Sequence, residues 1–183
     1  MPKPDEQALF HLVYCAQNCY THSRGKTKLR SGCLQAGKRG IGMDAKGLDR
    51  FYSAQEKSYA TALSEVKNGR KRSHWMWYIC PQIQGLGFSS ISQYYSIRDL
   101  EEAEAYLNDP VLGERLKEIS QALLDLDTSD PYEVFGSPDD MKLRSSMTLF
   151  AILPDADPVF QKVLDKFYGG KKDKLTLRKV GKE

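Results

Sequence analysis

No stretch of this sequence approaches the roughly 20 consecutive apolar residues that a membrane-spanning helix needs. The longest apolar run, Trp75 to Cys80, is far shorter. The first residues also lack the apolar core of a secretory signal. Together these absences set a cytoplasmic, reducing environment as the expectation and make disulfides unexpected. No segment alternates apolar and polar residues between hairpin turns, which argues against a β-rich domain. There is no repeat unit and no low-complexity tract. P-loop, Ser-His-Asp, zincin and two-metal patterns are missing too, so no cofactor is expected. Histidine and tryptophan are scarce, at three and two residues.

What is present suits a single folded domain. A chain of 183 residues can bury a sizeable core, and 40% hydrophobic with 28% charged residues is ordinary for a globular monomer. The net charge of +3 is unevenly divided. Residues 1–42 hold seven basic residues against Asp5 and Glu6, and the remainder holds 20 basic against 22 acidic. That mildly acidic body argues against nucleic-acid binding, which needs a basic footprint on the folded part.

Residues 1–42 differ from the rest in pattern as well. Phe10 to Tyr20 could form a short helix, but Thr21 to Gly42 is Gly-, Lys-, Arg- and Ser-rich without a sustained period. They read as a basic, disordered extension, with Met43 a natural start of the helical domain 43–183. Three of the four cysteines lie there, in the set His11, Cys15, Cys19, His22 and Cys33. These are zinc-ligand types, but Cys-x3-Cys-x2-His matches no standard finger, so free thiols and no metal are expected.

From Asp44 the punctuation is helical. Leu48, Phe51, Tyr52, Gln55, Tyr59, Leu63 and Val66 recur at three- and four-residue steps, and Asn68-Gly69 closes that helix. Four residues able to cap a helix stand directly before proline: Asp109, Asp130, Ser137 and Asp157. Ser73, Ser89 or Ser90, Asp99 and Asp173 supply further caps. The expected fold is all-α, a compact single-domain array of about six to eight orthogonally packed helices.

Chemistry concentrates in Arg70–Ser90, RKRSHWMWYICPQIQGLGFSS, and in Gly136–Met147, GSPDDMKLRSSM. An imidazole suits general acid-base work near neutrality, which singles out His74. The alternative is a histidine packed beside tryptophan. Trp75 and Trp77 are two apart and face different ways on a helix, so one belongs to the core while the other can wall a pocket and stack on a ring. Trp75 is the expected stacking residue. Arg72 offers a guanidinium fork to an anion, and Gln82 has donor and acceptor faces for a polar edge. Asp139 and Asp140 suit a helix first turn. Asp140 is a second candidate to move a proton, although it could equally pair with Arg144 four residues on. Lys142, Arg144 and Ser145 complete a polar face opposite His74.

The segments SHWMWYICPQIQGLG and FGSPDDMKLRSSMTLF resemble those of the family known as domain of unknown function 1810. The resemblance extends from about Leu48 to Arg178 through Gln55, Tyr59, Tyr106-Leu107, Leu112-Gly113, Gly169-Gly170 and Asp173. It implies a mainly helical domain and no established activity. Members are sometimes labelled calpastatin, an inhibitor built of disordered repeats, whereas this sequence is periodic. Met147, Leu149-Phe150, Val163-Leu164 and Lys166-Phe167 are loosely similar to the NADAR family, which acts on ADP-ribose-type compounds. Two functions follow as expectations. One is binding or processing of a small anionic, ring-containing ligand of nucleotide or ADP-ribose type. The other is a protein-interaction module using the aromatic stretch 74–88.

Overall fold

Phe51, Gln55, Ala62 and Val66 fall at helical steps along one face, and in the computed structural model, which describes residues 47–182, they form the buried side of helix α1 (Asp49–Lys67). Asn68 and Gly69 close it as expected. Gly69 takes φ +68°, and the Gly69 and Arg70 amides donate to the Val66 and Glu65 carbonyls. The expected boundary near residue 42, the helix over 10–20 and the cysteine cluster lie outside the described residues.

Eight further helices follow among the described residues: α2 (Met76–Ile79), α3 (Ser90–Tyr94), α4 (Leu100–Leu107), α5 (Leu112–Leu124), α6 (Pro131–Phe135), α7 (Asp139–Ala151), α8 (Pro158–Tyr168) and α9 (Lys174–Lys179). The all-α class is the observed one. The count of nine, three of them (α2, α3 and α6) single-turn helices, exceeds the expected range by one. The β feature among these residues is one isolated bridge, Ile83 to Ile97. No described helix is long and apolar enough to cross a membrane.

Local chemistry explains most helix starts. Side-chain oxygens of Ser89, Asp99, Asp130, Asp157 and Asp173 each accept from an amide of the first turn they precede. Two expected caps are corrected. The Ser73 amide is taken by Glu65, and α2 begins after Trp75 without a side-chain cap. The Ser137–Pro138 peptide is cis, and α7 begins after Pro138, also uncapped. The Asp109-Pro110 start holds in modified form: Asp109 Oδ1 accepts from the Val111 and Leu112 amides, both at 2.9 Å, and α5 opens at Leu112.

Packing centres on α5, which lies against α1 and α8, while α8 also packs on α7. Leu112, Leu116, Ile119 and Leu123 of α5 are fully buried, each contributing about 1.5–3 kcal/mol by transfer from water. An aromatic chain ties the layers together: Phe51 meets Tyr106 edge-on at 5.0 Å, Tyr106 meets Phe150 at 5.5 Å, and Phe150 meets Phe160 at 5.8 Å. The buried Gln55 Nε2 donates to the Tyr106 hydroxyl at 2.8 Å and to the Tyr78 carbonyl at 2.7 Å, so this core amide nitrogen is satisfied. Loss of water around the Tyr106 hydroxyl raises its pKa above the ordinary tyrosine range.

Candidate functional site

Pro81 ends the α2 turn and sends the chain past the α7 N-terminus. Gln82 and Gln84 bracket Ile97 through two backbone hydrogen bonds, Ile97 N–H to the Gln82 carbonyl at 2.8 Å and Gln84 N–H to the Ile97 carbonyl at 2.7 Å. Gly85, at φ +88°, then turns the chain. Gly87 packs so closely on Ser92 that a Cβ would lie 2.5 Å from its hydroxyl oxygen. The turn leaves Phe88 90% exposed. Between this turn and the first half of α7 lies a cleft of about 380 Å³. Its polar lining includes Gln82, Lys142, Arg144, Ser145 and Asp173, and its apolar walls are Trp77, Leu86, Phe88, Met141 and Leu175.

Four of the residues expected from sequence therefore meet: Gln82, Lys142, Arg144 and Ser145. Arg72, His74, Trp75 and Asp140 do not line the cleft. The tryptophan assignment reverses. Trp75 is 1% exposed, its Nε1 donates to Glu65 at 2.8 Å, and its ring meets Phe135 edge-on, so it belongs to the core. Trp77 is the cleft wall. His74 is exposed and stacks on the Trp77 ring at 6.3 Å between centroids, outside the cleft lining. Arg72 is also exposed; its backbone amide, not its guanidinium, makes the contact to Glu65.

Two polar networks fix the walls. Asp139 lies between Lys71 at 2.6 Å and Lys142 at 2.7 Å, and the Lys142 ammonium sits 4.7 Å from the Trp77 ring centre. Burial pushes the Asp139 carboxyl up, but the hydrogen bonds and charges of the two lysines outweigh it and hold it below the ordinary aspartate range. Beneath them the Cys80 thiol, fully buried and near Asp139, is pushed up to about 12, which makes it unreactive as a nucleophile at neutral pH. In the second network Arg144 donates from Nε to the Lys171 carbonyl at 2.9 Å and from Nη2 to the Lys172 carbonyl at 3.0 Å, with Tyr168 alongside. The Asp140–Arg144 pair that their i, i+4 spacing allows does not form. Asp140 Oδ1 is buried without a hydrogen-bond partner, while the Asp140 carbonyl accepts from the Tyr168 hydroxyl.

Asp173 caps α9 and accepts from the Thr176 amide and hydroxyl and from the Ser145 hydroxyl. Sequence reasoning had Asp173 only as a cap. Leu86, Phe88, Met141 and Leu175 carried no signal, because an isolated exposed apolar residue is indistinguishable in sequence from a core one.

Behind Trp75, Glu65 accepts from the Arg72 and Ser73 amides at 2.9 and 3.1 Å and from Trp75 Nε1. Partial burial raises its pKa, but these donors dominate and hold it at about 2, against an ordinary 4.5. A carboxyl lowered on folding stabilises the fold above its unfolded pKa and loses that contribution as pH falls through the folded one. Acid titration of stability should therefore steepen between pH 4.5 and about 2. Glu65→Gln should flatten this window and cost about 1–2 kcal/mol at pH 7. Urea unfolding across pH reads both, and a variant with the wild-type slope would contradict the assignment.

Comparison with known proteins follows the fold. A family model described as "Protein of unknown function (DUF1810)" matches residues 45–180. The crystal structure of the conserved hypothetical protein Rv1873 from Mycobacterium tuberculosis is 44% identical, with a TM-score of 0.74 over 75% of this chain and 99% of that one. No curated protein matches.

Proposed function

We propose a function from the premise that this chain belongs to the DUF1810 family, whose description assigns no activity: the Trp77 cleft binds a small, anionic, ring-containing ligand of nucleotide or ADP-ribose type. One observation carries the reading. Residues from three separate segments, Trp77 and Gln82, Lys142 to Ser145, and Asp173, converge on one concave site that has a planar wall, an amide and two cations. A volume of about 380 Å³ suits a ring with a short polar arm.

The reading is of binding rather than turnover. Neither proton-transfer candidate, His74 or Asp140, lines the cleft, and Asp173, the lining carboxylate, is engaged as a helix cap. His74 would instead buttress Trp77 from outside.

A thermal-shift and tryptophan-fluorescence screen against nucleotides, ADP-ribose derivatives and sugar phosphates tests this. At least one ring-bearing anion should bind, and Trp77→Ala should weaken it about tenfold or more, from the loss of stacking worth about 1–3 kcal/mol. Retention of binding in that variant, or silence across the screen, would refute the reading. The interaction-module reading has its own support in the exposure of Phe88, Met141 and Leu175 at 90%, 65% and 55% around the cleft mouth. It predicts a protein partner lost on Phe88→Ala but kept in Trp77→Ala.

A further inference from the structure

We propose that the cleft selects a ring carrying one terminal anionic group, a carboxylate or a single phosphate, held end-on by Arg144. This rests on the reading of the cleft as a ligand site and narrows it. Of the three cations singled out as site candidates in the sequence, Arg72 does not line the site. Lys142 does, but its ammonium is committed to Asp139 at 2.7 Å and to the Trp77 face. Arg144 is left.

Its guanidinium is fixed in an unusual way. Nε and Nη2 share one edge of the fork, and both are bound to the consecutive carbonyls of Lys171 and Lys172. That sets the plane of the group without any counter-charge, since carbonyls are neutral. Nη1 has no protein acceptor among the described residues, so the end edge, Nη1 with the remaining Nη2 hydrogen, is available to an anion in a pre-set orientation. Orientation is the costly part of binding by a long side chain, and here the fold has already supplied it.

Charge count sets the ligand's valence. Among the side chains that line the cleft, together with the Lys71–Asp139 pair bound behind Lys142, three cations face two carboxylates, an excess of one positive charge. A carboxylate matches that excess, and a single phosphate exceeds it by less than a di- or triphosphate would. A second or third phosphate would find no further uncommitted cation lining the cleft and would meet Asp173. The polar groups near Arg144, Gln82 and Ser145, are neutral and suit an amide or hydroxyl on the ring or its arm.

The test uses the full 183-residue chain and two probe sets, titrated by tryptophan fluorescence and calorimetry. Indole-3-acetate and indole-3-acetamide differ in charge at nearly constant shape, while AMP, ADP and ATP differ in phosphate number. The acid should bind about tenfold tighter than the amide, and AMP should bind at least as tightly as ADP or ATP. Arg144→Lys keeps the charge but loses the fork, and should bring the acid-to-amide ratio close to one with little change in amide affinity. That ratio separates recognition from a merely structural role, which would move both probes together. Equal binding of acid and amide in the wild type, or affinity rising from AMP to ATP, overturns the proposal while leaving a ring-binding cleft in place. Failure of every probe to bind overturns both.

Discussion

Gly113→Ala should destabilise the protein by about 3 kcal/mol or more, although alanine is the better helix former by about 1 kcal/mol. Gly113 stands in the first turn of α5, where its amide donates to the Asp109 carbonyl at 3.0 Å. A Cβ built there would lie 1.9 Å from the Leu107 carbonyl oxygen and 2.8 Å from its carbon. The clash is with backbone, so no rotamer change can relieve it. Leu107 ends α4, and Tyr106 beside it belongs to the central aromatic chain. Moving the α4 terminus therefore strains the core, and the propensity gain is too small to compensate. Urea unfolding midpoints measure the effect. A loss below about 1 kcal/mol would mean that the α4–α5 corner yields more easily than close packing allows.

The same corner shows what sequence can and cannot deliver. Asp99, Asp130, Asp157 and Asp173 were legible as caps because a cap is a contact over two or three residues and needs no tertiary information. Ser73 and Ser137 failed as caps by position. Ser73 lies two residues before the Trp75 cap position, held by its amide to the distant Glu65, and Pro138, not Ser137, stands in the cap position of α7. Gly113 reads locally as a weak helix residue, because the carbonyl it accommodates is brought in by folding.

The candidate site was legible by halves. Helical parity separated Trp75 from Trp77 but could not tell which faces the core, since that depends on where Glu65 and Phe135 lie. The summed charge of the body is equally blind to position. A slightly acidic average conceals the segment 171–182, in which Lys171, Lys172, Lys174, Arg178, Lys179 and Lys182 accompany a single acid, Asp173, although of these charged side chains only Asp173 lines the cleft. Summed charge describes a chain, whereas a ligand meets one face of it.

Glu102→Ala should cost about 3–5 kcal/mol and should also weaken ligand binding at a distance. Glu102 is buried at the start of α4, with Oε1 2.9 Å from Arg50 Nη2 and Oε2 accepting from the Arg98 amide at 2.7 Å. Its side chain is 1% exposed and that of Arg50 is 13% exposed, so removal of the carboxylate strands a largely desolvated cation. Arg50 also donates to the Ser96 carbonyl, and Ile97 next to it pairs with the Gln82–Gln84 backbone. The ion pair thus fixes the segment that places Gln82 in the cleft. Glu102→Gln keeps an oxygen for the Arg98 amide while losing the charge, and should cost about half as much. Guanidinium unfolding gives the stabilities, and a fluorescence titration with the best-binding ring anion gives the affinities. Weakened binding in Glu102→Ala, measured where that variant is still folded, would place the Arg50–Glu102 pair among the groups that position the site. Unchanged affinity alongside lost stability would instead confine its role to the fold, because Gln82 would then be held without it.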